Sequence, residues 1–184
     1  MEYKLRTILN IEKKSTLKGF RMVFPLLPSV AIFGCIFGFT GGMFKYSLLL
    51  ISLSSVIVFA GTSQFIVLTL INQNEPFIAI ALSGIIVNLR HILYGAALRN
   101  DISTKGVKRF ILAYLLTDEA FLVTKLVKKN PLYDKDLLLD DVLFGSGILV
   151  WIIWNISTVI GYLSISVFEF NPYIVLTYYT WKNI

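Results

Sequence analysis

The chain has 184 residues, of which 56% are hydrophobic and only 15% charged, with a mean hydropathy of +0.74. That composition argues against both a soluble domain and an unfolded polar chain and fits an integral membrane protein. The net charge of +6 does not point to nucleic acid, because the basic residues fall in polar intervals between apolar runs and no aromatic-interleaved basic groove is readable.

Residues 1–21 carry six basic residues, Lys4, Arg6, Lys13, Lys14, Lys18 and Arg21, which by the positive-inside rule places the N-terminus in the cytoplasm. Interleaved Leu5, Ile8, Leu9 and Ile11 suit a short helix on the inner leaflet as well as a solvated tail. No cleaved signal peptide is expected. Met22–Gly42 is the first span, entered through Pro25 and Pro28, and its Gly34 and Gly38 form a small-xxx-small pair that lets another helix approach closely. The single Cys35 excludes an intrachain disulfide and reads as a packing residue.

After Lys45, apolar residues run from Tyr46 to Ile71, longer than one crossing of about 20 residues requires. Gly61 lies inside this run, followed by Thr62, Ser63 and Gln64. One tilted helix with a polar face would explain it. Two half-helices broken at Gly61, with freed backbone groups lining a cavity, are preferred. A turn at Asn72–Pro76 leads into a span over Phe77–Leu98 that holds Asn88, Arg90 and His91. At 100° per residue Arg90 points about 200° away from Asn88.

The interval 99–109 is basic, and Phe110–Val127 reads as a shorter span interrupted by Thr117, Asp118 and Glu119. Adjacent Asp118 and Glu119 project about 100° apart, so one of them at most is expected to face a cavity. Asn130–Asp141 reads as a solvated acidic loop, Val142–Ser166 as the last span, and 167–184 as an aromatic tail too short to cross. The expected fold is an all-α polytopic helix bundle with five or six membrane segments and the option of broken helices. It divides into a cytoplasmic or interfacial segment over 1–21, a transmembrane domain over 22–166 and the tail. The charge rule does not fix the number of crossings: five spans put ten basic residues inside and six outside, six spans eleven and five.

Arg or a carboxylate at the bilayer centre costs about 2.5–3.5 kcal/mol on insertion scales, so intramembrane ionisable residues by default meet a partner, a cavity or a substrate. An amino acid needs a cationic or N–H-rich site, an anionic site and a pocket. The candidate substrate-binding residues are Gly61, Ser63, Gln64, Asn88 and Arg90, where Arg90 or a half-helix N-terminus after Gly61 would meet a carboxylate. His91, Asp118 and Glu119 are candidates for proton coupling or for binding an ammonium. Phe59 and Phe65 would hold an aliphatic side chain.

Each has a plainer explanation beside it. Ser63 and Gln64 would serve as hydrogen-bond formers between helices, Arg90 with Asp118 or Glu119 as a structural ion pair, and His91 as a packing residue. Two other classes compete with transport. An intramembrane enzyme, such as an acyltransferase, would use His91 and Asp118 as acid and base, and a scaffold subunit would need only the glycine pairs. The chain has no His-Glu-x-x-His zinc helix and no Gly-x-Ser-x-Gly turn, and one His with one Cys makes no usual zinc site. No catalytic residue, metal or cofactor is therefore assigned.

Gly19 with Pro25, Gly34 and Gly38, then Ala60-Gly61-Thr62-Ser63-Gln64-Phe65, Asn88-Leu89-Arg90-His91-Ile92-Leu93-Tyr94-Gly95 and Thr117-Asp118-Glu119-Ala120-Phe121 together resemble the AzlC family, the large subunit of bacterial branched-chain amino-acid exporters. The resemblance covers roughly residues 18–165. It implies a multi-pass inner-membrane exporter of valine, leucine and isoleucine, with methionine as a further candidate, driven by the proton gradient and working with a small hydrophobic AzlD-type subunit. Family members usually continue for several tens of residues beyond the Trp-rich span, so a shortened C-terminus is expected here.

Overall fold

The computed structural model describes residues 11–130 and 136–169, with side chains described as far as residue 166. Residues 1–10 of the expected inner-leaflet segment, the middle of the acidic loop and most of the aromatic tail lie outside these residues. All regular structure within them is helical: α1 (Lys13–Val23), a 3₁₀ turn (Phe24–Leu26), α2 (Leu27–Met43), α3 (Leu48–Ile57), α4 (Gly61–Asn72), α5 (Phe77–Leu98), α6 (Gly106–Tyr114), α7 (Asp118–Lys129) and α8 (Leu139–Glu169).

Among the described residues three helical stretches are long and apolar enough to cross a membrane: Lys13–Met43, which combines α1, the turn and α2; Phe77–Leu98; and Leu139–Ser166. The boundary expected at residue 21 falls inside α1, because Pro25 and Pro28 sit in the 3₁₀ turn and the first turn of α2. There a missing N–H interrupts few hydrogen bonds.

α8 runs parallel to the first stretch. An added Cβ on Gly19 would overlap the Val142 carbonyl, one on Gly34 would stand 2.8 Å from Ser157 Cβ, and one on Gly38 would overlap the Thr158 carbonyl. In the other direction, Gly145 abuts the Thr16 carbonyl and Gly161 the Cys35 carbonyl. Glycines from both partners thus bring the two backbones into contact, which is how helices associate where lipid removes the hydrophobic drive.

The four remaining helices, with nine to twelve residues each, reach about 14–18 Å at 1.5 Å per residue, half of a hydrocarbon core about 30 Å thick. They form two hairpins. α3 starts beside the end of α2, where the Tyr162 hydroxyl donates to the Tyr46 carbonyl at 2.9 Å, and descends to mid-depth, where Ser55 and Thr158 hydroxyls meet at 3.2 Å. α4 returns to the same face, with Val67 against Gly84 of α5.

α6 enters from the opposite face, where Lys108 donates to Asp141 at 2.7 Å, and ends at mid-depth. There the Tyr114 hydroxyl donates to the Val56 carbonyl and accepts from Trp151 Nε1 at 2.8 Å. α7 goes back out, with Lys125 donating to the Ala97 carbonyl at 2.6 Å. The tips of the hairpins touch through the rings of Phe59 and Tyr114, 5.8 Å apart. The expected membrane segments therefore resolve into three full-length spans and two half-depth hairpins. Phe110–Val127 in particular is two short helices and not one span.

The order span–hairpin occurs twice, as α2–α3–α4 and α5–α6–α7, and the copies enter from opposite faces, as in inverted repeats of secondary transporters. This topology gathers Lys13, Lys14, Lys18, Arg21, Arg99, Lys105, Lys108, Arg109, Lys125, Lys128 and Lys129 at one face and leaves Lys45 at the other. That asymmetry makes the first face cytoplasmic. Asp140 and Asp141, expected in a solvated loop, are buried. They open α8, where Asp140 accepts from Ser103 N–H at 3.1 Å and Asp141 from Lys108 and from Glu12 N–H at 2.9 Å.

Candidate functional site

Both helix breaks open onto one cavity of about 360 Å³, lined by Phe59–Thr62, Arg90, His91, Thr117–Glu119, Val30, Phe33, Phe65, Val150 and Trp154 among others. The first break spans Val58–Ala60, with Phe59 at φ 43°, a left-handed conformation that an aromatic residue rarely adopts. It is held from elsewhere. The Gln64 side-chain oxygen accepts from Ala60 N–H at 3.2 Å, and its amide lies 3.4 Å from the Ser54 hydroxyl.

Gly61 is the first residue of α4 and not the flexible point itself. It is small because Trp154 packs on it, with Cη2 2.8 Å from the place a Cβ would take. The second break precedes Thr117, whose hydroxyl accepts from Ala120 N–H at 3.3 Å and caps α7. Asp118 and Glu119 follow in its first turn, where carboxylates complement the helix dipole.

Arg90 Nη1 donates to Asp118 Oδ2 at 2.7 Å, and Nη2 to the Thr62 hydroxyl at 3.3 Å. One guanidinium thus joins the starts of both short returning helices. Its side chain is 29% exposed and that of Asp118 44%, and Phe33, which also lines the cavity, is 59% exposed. His91 Nδ1 donates to the Asn88 carbonyl at 3.3 Å. Three polar atoms of the cavity's lining residues, Arg90 Nε, Asp118 Oδ1 and Trp154 Nε1, are buried and lack a hydrogen-bond partner among the described residues.

Of the residues singled out in the sequence, Gly61, Arg90, His91, Asp118 and Glu119 line this cavity, as do Phe59 and Phe65. Ser63, Gln64 and Asn88 do not. The Ser63 hydroxyl donates to the Ala60 carbonyl at 2.9 Å, Gln64 braces the break, and Asn88 faces a separate apolar groove with Ser63 and Gly84. Asp118 and Glu119 both reach the cavity, against the expectation that one at most would. At the start of a helix, side chains tilt beyond its end, so neighbours in the first turn converge there. Sequence reasoning missed Thr62, Thr117 and Trp154. The first two belong to motifs already singled out, whereas nothing local marks Trp154. Among the described residues no three His, Cys, Asp or Glu side chains gather into a metal-binding group.

Three crossing stretches, two half-depth hairpins and a charged mid-depth cavity define a polytopic membrane protein of the broken-helix type. Residues 25–168 match the AzlC protein family. The chain belongs to that family. It is 29% identical to the inner membrane protein YgaZ of Escherichia coli (strain K12) over 152 residues, covering 80% of this chain and 60% of that protein. An uncharacterized membrane protein of Helicobacter pylori (strain ATCC 700392 / 26695) is 26% identical over 160 residues, covering 84% and 68%. One from Archaeoglobus fulgidus is 31% identical over 107 residues, covering 58% and 47%. The chain thus spans about 60% of the length of the E. coli relative. No solved structure matches it.

Proposed function

We propose that this chain is a transport subunit that exports the branched-chain amino acids valine, leucine and isoleucine, with methionine as a further candidate, coupled to the proton gradient and completed by a small hydrophobic AzlD-type subunit. The observation that carries the reading is the set of orphaned atoms around the cavity. Buried polar groups are ordinarily hydrogen-bonded, and here two donors and one acceptor lacking partners belong to residues lining a space walled otherwise by Val30, Phe33, Phe59, Phe65 and Val150. An amino acid with an aliphatic side chain offers an acceptor, a donor and an apolar body to match.

The exposure of the Arg90–Asp118 pair supports a partner subunit. An ion pair 29% and 44% exposed at mid-depth would face hydrocarbon, at a cost of several kcal/mol, unless protein covers it. The enzyme alternative lacks such support, because Asp118 is engaged by Arg90, and among the described residues the His91 ring bonds to its own helix. The deciding experiment loads cells with valine and measures efflux with this chain alone, with its partner subunit, and with neither. Efflux that needs both is expected. Efflux equal to that of cells lacking both would end the transport reading.

A further inference from the structure

Three groups able to carry a proton line the cavity, His91 from α5 and Asp118 and Glu119 from the first turn of α7, beside one fixed cation, Arg90. The lining residues from α2, α4 and α8, among them Val30, Thr62 and Trp154, include no ionisable group. Tyr94 of α5, stacked on Phe121 with ring centroids 4.4 Å apart, lies within electrostatic reach of both carboxyl groups.

The three are not equivalent. Arg90 directs Nη1 to Asp118 at 2.7 Å and Nη2 to the Thr62 hydroxyl at 3.3 Å, so Asp118 has a fixed counter-ion. His91 Nδ1 is bonded to the Asn88 carbonyl of its own helix at 3.3 Å. Glu119 has neither: half-buried in the cavity wall, it makes no hydrogen bond or ion pair among the described residues. Because the charges of Arg90 and Asp118 cancel, an ionised Glu119 leaves the cavity one unit negative and a protonated one leaves it neutral. The positive end of α7 makes the anion tolerable, but at mid-depth only a bound cation or a bound proton balances it.

We propose that Glu119 is where the coupling proton and the ammonium of the amino acid compete, each displacing the other. The proposal rests on the transport reading and deepens it by naming the coupling group. When the cavity faces the side from which the amino acid enters, the Glu119 O–H bond breaks, the proton passes to water, and the ammonium settles beside the carboxylate. On the far side a proton from water re-forms that bond as the amino acid leaves. No bond to the substrate forms, and Asp118 keeps Arg90 as its counter-ion throughout. Because the two ligands exclude each other at one carboxyl group, one proton moves inward for each amino acid moved outward.

The test uses the full chain in lipid nanodiscs and calorimetric titration with L-leucine and with 3-methylbutylamine, which has the ammonium and tail but no carboxylate. Titrations from about pH 5 to about pH 8, in buffers of different ionisation enthalpy, count the protons released. In the unaltered chain leucine affinity should fall toward about tenfold per pH unit on the acid side, with about one proton released per leucine bound there. Leucine binding at constant affinity and without proton release overturns the proposal and leaves the transport reading standing. Glu119→Gln, which keeps the size and cannot ionise, should abolish the release, flatten the pH dependence and weaken both probes about tenfold or more at the alkaline end. Glu119→Asp and His91→Gln should keep the release. Release that survives Glu119→Gln, or that His91→Gln also removes, overturns the assignment. If Glu119→Gln binds neither probe, release retained in Glu119→Asp upholds the proposal and release lost there overturns it. Proton-coupled binding of the amine that depends on Glu119, with no binding of leucine, keeps the competition and removes the amino-acid reading. No binding of either probe to the unaltered chain removes both.

Discussion

Arg90 and Asp118 must be judged as a pair, because removing one leaves the charge of the other uncompensated at mid-depth. Arg90→Ala and Asp118→Asn should each abolish valine efflux, and their effects on thermal stability should be non-additive by about 0.5–3 kcal/mol. A double variant whose loss is the simple sum would show that the 2.7 Å contact carries no coupling. Gly61→Val should cut efflux at least about tenfold while the protein still inserts, since overfilling a packed site costs about 1–3 kcal/mol and here displaces Trp154; unchanged efflux would sever that contact from function. On the cytoplasmic face, burial alone would raise the pKa of the Asp101 carboxyl, but Lys128 and Lys125, which donate to it, hold it below the ordinary value. A lowered folded-state pKa stabilises above the unfolded-state value, and the gain is lost as pH falls through the folded-state one. Asp101→Asn should therefore lower the melting temperature near neutrality by about 2–4 °C, the shift that one kcal/mol makes at this size. The difference from the unaltered protein should vanish in acid below the carboxylate range, and a gap that persists there would assign the loss to packing.

Among the helices, the parallel contact of α2 with α8 depends on bare glycine backbone. Gly38→Ala and Gly161→Ala push a Cβ into the carbonyls of Thr158 and Cys35, which cannot move aside, and each should cost about 1–3 kcal/mol of stability. Gly95→Ala meets nothing within 4 Å and should be neutral or stabilising by up to about 1 kcal/mol, since alanine favours a helix. Melting curves in detergent separate the two classes; equal losses at all three positions would refute the packing argument. Gly34 and Gly38 were legible in the sequence as a close-approach pair, though not with α8 as partner. α5 was read with its ends correct, because its apolar run is bounded by turn residues on one side and basic residues on the other. The second break had a local signal that was passed over: Thr117 followed by Asp118 and Glu119 is a helix start. The first break had Gly61 and Gln64 as local signals, while the other group that stops α3 is remote. Tyr114, 58 positions away, takes the Val56 carbonyl, and Gln64 takes the Ala60 N–H. Lys108 with Asp141 was equally unreadable, since sequence spacing says nothing about charges on different helices.

For the molecule as a whole, the charge rule failed only because crossings were counted as whole spans. With half-depth hairpins, the loops at Lys45 and Glu75 emerge on one side and those at Lys105 and Asn130 on the other, whereas a full crossing over Tyr46–Ile71 would separate Lys45 from Glu75. Single cysteines at these four positions, in a Cys35→Ala background, should label in two pairs with an impermeant maleimide, Lys45 and Glu75 from outside and Lys105 and Asn130 only after the inner face is exposed. Opposite labelling of Lys45 and Glu75 would overturn the hairpin. The meeting of Phe59 and Tyr114 at mid-depth has an electrical consequence. Where water reaches the cavity from one face, the transmembrane voltage falls across a septum one hairpin thick, and a unit charge passing through it gains about 2.3 kcal/mol per 100 mV over a short path. A zwitterion carries no net charge through that field, so any dependence of leucine flux on voltage counts the protons that travel with it.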